Sequence, residues 1–158
     1  MSATPQDTSG VRFPPPLIYA GLFIVGYAVH RFVSVPLWGD PPASVRVIGW
    51  CLVGVWVLLT ASAVALFRNA GTTPNPTKAT TALVLRGPYR LTRNPMYVGF
   101  AALYLGVTLL VNSLWPLLLF PVVIALVQTR VIAREEAYLE AKFGDEYRAY
   151  KQQVRRWL

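Results

Sequence analysis

The sequence contains very few of the residues that bind metals or form covalent cross-links. Of its 158 residues, one is a cysteine, Cys51, and one is a histidine, His30. A single cysteine excludes an intrachain disulfide framework, and it leaves no ligand set for a cysteine metal site. We therefore predict no metal centre.

Charge is also scarce, and acidic residues are the scarcest. Only 14% of the residues are charged, with seven acidic side chains against fifteen basic ones, whereas 54% are hydrophobic. A mean hydropathy of +0.44 is too high for a soluble globule, which indicates that the bilayer is the solvent. The net charge of +8 next to apolar segments indicates membrane topology and contact with anionic lipid, so we predict no nucleic-acid partner.

Three uncharged runs carry the apolar residues: Phe13–Val29, Val47–Phe67 and Asn94–Thr129. The first two approach the roughly 20 residues that a transmembrane helix needs. The third would form a helix of roughly 54 Å against a hydrocarbon core of about 30 Å, so it must fold back on itself. Asn112 and Pro116 lie at the polar interruption where we expect this turn.

These runs predict an all-α integral membrane protein with about four transmembrane helices, of which the last two form a short hairpin. A buried hairpin in a soluble protein is the less favoured alternative, because nothing else in the chain covers so much apolar surface. We expect a flexible N-terminus over 1–12 and a single membrane domain over 13–158. The predicted spans are about 13–33, 46–67, 96–111 and 114–130, followed by a helical cytoplasmic tail over 131–158.

Basic residues are concentrated in two segments, the one between the second and third runs and the one after the fourth span. With an even number of spans the two segments share a side, which the positive-inside rule makes cytoplasmic. Both termini are then inside. The basic residues of the two segments are Arg68, Lys78, Arg86, Arg90 and Arg93, and then Arg130, Arg134, Lys142, Arg148, Lys151, Arg155 and Arg156.

The inner segment from Arg68 to Pro95 is too long for a simple connection between neighbouring helices. Turn-forming residues fill Gly71–Pro76, and Pro95 suits the first turn of the third span. Free N–H groups at that helix start, next to Arg90 and Arg93, are predicted to accept an anionic group.

The fourth span is predicted to continue as a helix beyond the membrane to Phe143-Gly144, followed by a second helix to about Arg156. Glu136 shares a helical face with apolar residues, so its carboxylate needs a cationic partner or a ligand. The candidate partners are the inner-loop arginines and a cationic ligand. The alternative is that Glu135 and Glu136 are ordinary solvated charges, with Glu136 paired to a loop arginine for structure alone. An amphipathic surface after Gly144, which includes Tyr147 and Tyr150, is expected to lie along the membrane interface.

Two motifs at a specific spacing resemble one family of membrane enzymes. Gly87-Pro88-Tyr89-Arg90 and Arg93-Asn94-Pro95-Met96-Tyr97 precede an apolar stretch, and Glu135-Glu136 follows it, with Phe143-Gly144 and Tyr147 beyond. Over about residues 45–158 the chain resembles the isoprenylcysteine carboxyl methyltransferase and phospholipid methyltransferase superfamily, as a small prokaryotic-type member. That family has an Arg-His-Pro-x-Tyr motif, and Asn94 stands where many members have histidine. Because asparagine does not titrate near neutral pH, we expect Asn94 to position a ligand.

The resemblance implies an S-adenosylmethionine-dependent methyltransferase with a cytoplasmic pocket built from the inner loop and the helical extension. Carboxylates offset the sulfonium and ammonium of this cofactor, and Arg93 or backbone N–H groups accept its carboxylate. The implied catalytic residues are Arg93, Glu136 and Arg90. The implied cofactor-binding residues are Tyr89, Arg93, Asn94, Pro95, Tyr97, Glu135 and Glu136.

The acceptor implied by the family is a lipophilic or lipid-modified molecule that enters from the bilayer. An isoprenylcysteine-type carboxylate is favoured, with a phospholipid or another lipophilic amine or thiol as the alternative; an amine would need a base, for which Glu136 is the candidate. The rival class is a small transporter or a non-catalytic scaffold, although transporters usually carry ionisable residues inside their spans. We expect a bacterial or archaeal cytoplasmic membrane, with the termini and the site inside.

Overall fold

The computed structural model describes residues 9–11, 14–72 and 80–158, and within them it contains helices and no strand. The predicted all-α class is therefore confirmed. Most of the predicted flexible N-terminus (1–12) and most of the turn-rich Gly71–Pro76 stretch lie outside the described residues. The helices are α1 (Pro15–Phe32), α2 (Ala43–Asn69), a 3-10 helix (Gly87–Arg90), α3 (Pro95–Leu110), α4 (Leu114–Leu126), a π-helical segment (Val127–Ile132) and α5 (Ala133–Gln153).

Among the described residues, two helices are long and apolar enough to cross a membrane: α2, and the helical run Leu114–Gln153 that comprises α4, the π segment and α5. In the most apolar stretch of α2 only 6% of the residues are buried inside the protein. Such low burial of an apolar helix argues against the core helix of a soluble protein and indicates membrane association. Four spans remain a prediction, since α1 is not among these candidate spans and α3 is apolar but shorter.

The polar break between α3 and α4 lies where the sequence places it. Asn112 has a φ of 52°, a left-handed conformation that asparagine tolerates better than most residues. Its side-chain Oδ1 accepts from the N–H of Trp38 (3.0 Å) and its Nδ2 donates to the Trp38 carbonyl (2.8 Å). The turn is thereby tied to the connection between α1 and α2.

Helices α2 and α3 pack closely through two glycines. A Cβ atom added at Gly106 would lie 2.7 Å from the carbonyl oxygen of Gly49, which is shorter than real contacts of this kind. Close packing of this type places the start of α3, and the motif before it, against the end of α2.

Replacing Gly106 with alanine is expected to destabilise the protein by about 1–3 kcal/mol, because the helices must separate to admit the methyl group. Thermal unfolding in detergent would measure this change. Gly54→Ala is the matched control, since nothing lies within 4 Å of a Cβ at Gly54 on α2. Equal melting temperatures for the two variants would refute the close-packing argument.

The π-helical segment connects the apolar α4 to the charged α5. Val127, Val131 and Ile132 in this segment are at most 1% exposed. A π turn accommodates an extra residue, so side chains after it are rotated relative to those before it. The segment therefore fixes which side chains of α5 face the rest of the protein.

Gly144 breaks α5 as the sequence predicts. Its φ of 54° and ψ of −124° are not helical, and the chain resumes a helix up to Gln153. The expectation that the following surface lies along the membrane interface is wrong for its tyrosines: Tyr147 is 2% and Tyr150 is 8% exposed. The bend turns them back onto the protein, where the Tyr150 hydroxyl donates to the Tyr89 carbonyl at 2.7 Å.

Candidate active site

A cavity of about 110 Å³ lies at the charged end of the helices. It is formed where the α3 motif, the first turns of α5, the residues after the Gly144 bend and the segment before the 3-10 helix meet. Its lining includes both polar and apolar side chains. The described lining residues are Ser9, Phe67, Thr80, Ala82, Leu83, Val84, Tyr89, Arg93, Asn94, Met96, Tyr97, Glu135, Glu136, Tyr138, Leu139, Tyr147 and Tyr150.

The motif before α3 is held by the C-terminal segment of the chain. The N–H of Arg93 donates to the Arg155 carbonyl at 2.9 Å. The Thr92 hydroxyl and the Asn94 Nδ2 both donate to the Arg156 carbonyl, at 3.0 and 2.9 Å. Asn94 therefore serves as a positioning residue within the protein, in keeping with its inability to act as a base.

Glu136 is 5% exposed and is bound by two arginines. Arg93 donates to its Oε1 from Nη2 at 2.8 Å and from Nε at 3.2 Å. Arg156 donates to Oε2 from Nη2 at 2.6 Å and to Oε1 from Nε at 3.1 Å. Burial alone would raise the pKa of Glu136, but the hydrogen bonds from Arg156 and then Arg93 outweigh it, so the pKa lies below its ordinary value.

The guanidinium of Arg93 uses its hydrogen-bond donors within the protein. Besides the two bonds to Glu136, its Nη1 donates to the carbonyls of Lys151 (3.0 Å) and Val154 (2.8 Å). Four of the five N–H groups of an arginine are thus engaged. This arrangement favours a structural role for Arg93 over the binding of an anionic ligand.

Glu135 has the opposite environment from its neighbour. Its Oε1 accepts a hydrogen bond from the Tyr97 hydroxyl at 2.7 Å, and it lines the cavity. Burial raises the pKa of Glu135 to about 7; the Tyr97 hydrogen bond lowers it by less, and the charge of Glu136 raises it further. The pKa values of the two adjacent carboxyl groups are therefore shifted in opposite directions. Glu136 remains a structural anion, whereas Glu135 is able to exchange a proton near neutral pH.

Tyrosines form much of the polar wall. Burial raises the pKa of Tyr89 above its ordinary range, and it raises the pKa of Tyr150 to about 12. Both stay neutral at physiological pH and line the cavity. Aromatic faces near a carboxylate are suited to a cationic group.

The structure brings together most of the residues predicted for the site. Tyr89, Arg93, Asn94, Tyr97, Glu135 and Glu136 all line the cavity. Pro95 is buried at the start of α3 and is not a lining residue. Arg90 is exposed on the 3-10 helix and does not line the cavity either, so the structure does not bring it to the other site residues.

Sequence reasoning missed Arg156 and the two buried tyrosines after the bend. The spacing of three between Tyr147 and Tyr150 indicated a shared face, but it did not indicate what that face packs against. Arg156 lies twenty residues from Glu136 and has no pattern of its own, so only the path of the chain reveals the ion pair.

Replacing Tyr97 with phenylalanine is expected to raise the pKa of Glu135, because it removes a hydrogen bond to the ionised form. Any pH-dependent property that needs ionised Glu135 then shifts to higher pH. The shift would be measured from the pH dependence of binding of S-adenosylmethionine, the cofactor that the sequence resemblance implies. Tyr138→Phe is the control, because it removes another hydroxyl of the cavity lining, the one that accepts from the Thr80 N–H. An unchanged midpoint in Tyr97→Phe would contradict the assignment.

A helical membrane protein with a buried carboxylate–tyrosine site at one end fits the class of small membrane methyltransferases. Residues 45–146 match the family described as phospholipid methyltransferase. The chain belongs to this family, so the resemblance found in the sequence is confirmed.

Two relatives overlap parts of the chain. An uncharacterised protein of Haemophilus influenzae is 48% identical over 63 residues, which are 40% of this chain and 100% of that protein. The protein-S-isoprenylcysteine O-methyltransferase of Schizosaccharomyces pombe is 40% identical over 72 residues, which are 46% of this chain and 30% of that enzyme. No solved structure matches. The matches show a methyltransferase at the level of the family, and the donor and acceptor are matters for proposal.

Proposed function

We propose that this protein transfers a methyl group from S-adenosylmethionine to a lipophilic acceptor at the membrane. The observation that carries the proposal is the pair of adjacent carboxylates with different environments. Glu136 is neutralised by two arginines, whereas Glu135 faces the cavity with a pKa of about 7 and a single tyrosine hydrogen bond.

The donor set fits the cofactor. S-adenosylmethionine carries a sulfonium and an ammonium, and the carboxylate of Glu135 together with the tyrosine faces suits positive charge. The cavity of about 110 Å³ is smaller than the roughly 300 Å³ or more of typical ligand pockets. It suits the amino-acid and sulfonium end, and the nucleoside would lie outside it or displace the covering segment 80–85.

The chain's own residues supply orientation, proton transfer and the exclusion of water. When bound, S-adenosylmethionine supplies an activated methyl group. Glu135 takes the proton that the acceptor loses, which a carboxylate with a pKa of about 7 does well at neutral pH. The apolar residues Phe67, Met96 and Leu139 keep water from the reacting atoms. Tyr97 holds Glu135 in place.

This geometry favours an acceptor that arrives with a proton, such as a lipophilic amine or thiol. A carboxylate acceptor needs no base and would be oriented best by a cation, but Arg93 is the one arginine among the described lining residues and its donors are engaged. The role of base, assigned from the sequence to Glu136, accordingly suits Glu135 better.

The second candidate function is carboxyl methylation of an isoprenylcysteine-type substrate. The 40% identity to the enzyme of Schizosaccharomyces pombe favours it. Under this reading Glu135 serves the cofactor alone. The acceptor carboxylate would then require Arg93 to exchange one of its present partners, or the exposed Arg90 to move toward the cavity.

The proposed topology has four spans, with both termini and the cavity on the cytoplasmic side of a bacterial or archaeal membrane. Its support is the distribution of basic residues, since the positive-inside rule places the segments that build the cavity in the cytoplasm. A membrane lipid or lipid-modified molecule would then reach the site from the bilayer, and the cofactor from the cytoplasm.

A methyl-transfer assay with labelled cofactor tests the proposal. The purified protein in detergent would be offered total membrane lipid, a lipophilic amine, a lipophilic thiol and a prenylcysteine analogue in separate reactions. Label in the amine or thiol supports the favoured acceptor, and label in the prenylcysteine analogue supports the second. Absence of saturable S-adenosylmethionine binding by calorimetry would favour the rival transporter or scaffold.

A further inference from the structure

The C-terminal segment 154–157 runs along the motif before α3, and its contacts are concentrated on one side of the cavity. The carbonyls of Val154, Arg155 and Arg156 accept hydrogen bonds from residues 92–94. Beyond them, the indole Nε1 of Trp157 donates to Gln128 Oε1 at 2.9 Å. The segment therefore bridges the α3 motif and the π-helical segment.

The side chain of Arg156 adds a charged contact to these backbone contacts. It forms a two-point ion pair with Glu136, through Nη2 to Oε2 at 2.6 Å and Nε to Oε1 at 3.1 Å. Arg93 binds Oε1 of the same carboxylate through Nε and Nη2, so the two arginines share that oxygen while Oε2 is bound by Arg156. Glu136 is consequently fixed between two chain segments that are 63 residues apart in sequence.

We propose that Arg156 is a positioning residue for the carboxylate pair: together with the C-terminal segment it clasps Glu136 against the α3 motif, and this orients Glu135 toward the cavity. The proposal rests on the proposed function, because positioning matters only if Glu135 serves the bound cofactor or acceptor. It goes further by assigning a role in the site to a segment outside the residues that match the family.

Several titratable groups act on the pair from neighbouring elements. Arg93 precedes α3, Tyr97 lies on α3, Tyr89 on the 3-10 helix, Tyr147 and Tyr150 after the bend, and Arg156 on the C-terminal segment. The tyrosines are neutral at physiological pH, so the charge balance depends on two arginines and two carboxylates. Removing Arg156 leaves the charge of Glu136 less compensated, and that charge already raises the pKa of Glu135.

The first test measures the affinity for S-adenosylmethionine by calorimetry between pH 5.5 and 8.5, using the full chain in detergent. In the wild-type protein we expect affinity to rise as Glu135 ionises. In Arg156→Gln the midpoint is expected to move upward by about one pH unit, since a nearby opposite charge shifts a carboxyl pKa by about that much or more. Arg156→Lys, which keeps the charge but loses the two-point geometry, should restore part of the shift.

Arg155→Gln is the matched control. It removes the same charge from the adjacent, exposed residue, whose backbone carbonyl and not its side chain contacts the motif. If the pH midpoint of cofactor affinity is the same in Arg156→Gln and Arg155→Gln, the inference is overturned. If Arg156→Gln fails to fold, Arg156→Lys becomes the deciding variant, with the same comparison.

The second measurement needs no cofactor. Hydrogen exchange at the Arg93 N–H, which donates to the Arg155 carbonyl, reports whether the segment stays in place. We expect exchange to be at least about tenfold faster in Arg156→Gln and unchanged in Arg155→Gln. Unchanged exchange in both variants would overturn the clasp even if the wild-type protein binds the cofactor. Conversely, a wild-type protein that binds no cofactor refutes the proposed function, while exchange still decides on the clasp.

Discussion

Substituting Glu135 with glutamine is expected to lower the rate of methyl transfer by about 10²–10⁴-fold, the usual effect of removing a general base. The physical reason is the environment of the carboxylate: it lines the cavity, accepts one hydrogen bond from Tyr97, and has a pKa raised to about 7 by burial. Glutamine keeps the shape but accepts no proton. The initial rate of labelled methyl transfer at saturating cofactor measures the loss.

The pH dependence of the wild-type enzyme is part of the same prediction. Because Glu135 must be ionised to accept a proton, the rate should rise with pH and level off above about 7. The free protein's pKa governs kcat/KM, which should fall by roughly tenfold per pH unit below that value. The bound cationic cofactor lowers the pKa of Glu135, so kcat at saturating cofactor should fall only at lower pH.

Glu146→Gln is the matched control, since Glu146 is exposed and lies after the bend in the same helix. Burial raises the pKa of Glu135 above its ordinary 4.5. Its ionisation in the folded protein therefore lowers the free energy of unfolding as the pH rises toward and through 7. Glu135→Gln should therefore melt no lower than wild type at pH 8. A rate loss below tenfold in a folded Glu135→Gln would contradict the assignment of Glu135 as base and favour a carboxylate acceptor.

Replacing Glu136 with alanine should reduce the stability of the protein by about 3–5 kcal/mol, because it leaves the charges of two arginines without their shared partner. The side chain of Arg93 is only 10% exposed, so water compensates it poorly; Arg156, at 36%, is compensated better. The C-terminal segment is expected to loosen at the same time. Thermal or denaturant unfolding in detergent measures the change.

The Lys151–Glu140 pair provides the comparison for this variant. Its side chains are 33% and 34% exposed, and pairs of that kind contribute about 1 kcal/mol or less. Glu140→Ala should therefore change the melting temperature little. If Glu136→Ala has the same melting temperature as Glu140→Ala, the two-arginine cluster does not stabilise the fold, and the structural role of Glu136 is refuted.

The helical class and the positions of the main breaks could be predicted from sequence, because each depends on local chemistry. Apolar runs of limited length indicate helices that face lipid, and Pro95, Asn112 and Gly144 mark changes in backbone conformation with nearly local causes. That the motif before α3 and the Glu135-Glu136 pair belong to one site could also be predicted, but only through resemblance to a family. The number of spans and the side of the membrane stay predictions.

The division of roles between the two glutamates could not be predicted. They are adjacent in sequence and chemically identical, so the pattern favoured Glu136 on the apolar face as both ligand and base. Their pKa values differ because Arg156 and Arg93 reach one carboxylate and Tyr97 reaches the other. Such contacts depend on the bend at Gly144 and on the path of the C-terminal segment.

By itself the sequence determined that this is a helical membrane protein of a methyltransferase family, since hydropathy, helix breakers and motif spacing are properties of short segments. Only the tertiary structure decided which charges meet. In the folded protein Arg93 and Arg156 both pair with Glu136, whereas Arg90 is exposed. Tyr147 and Tyr150, after the bend, line the cavity. The reason is that electrostatic interaction depends on distance in space and on burial, and neither is encoded in the local pattern.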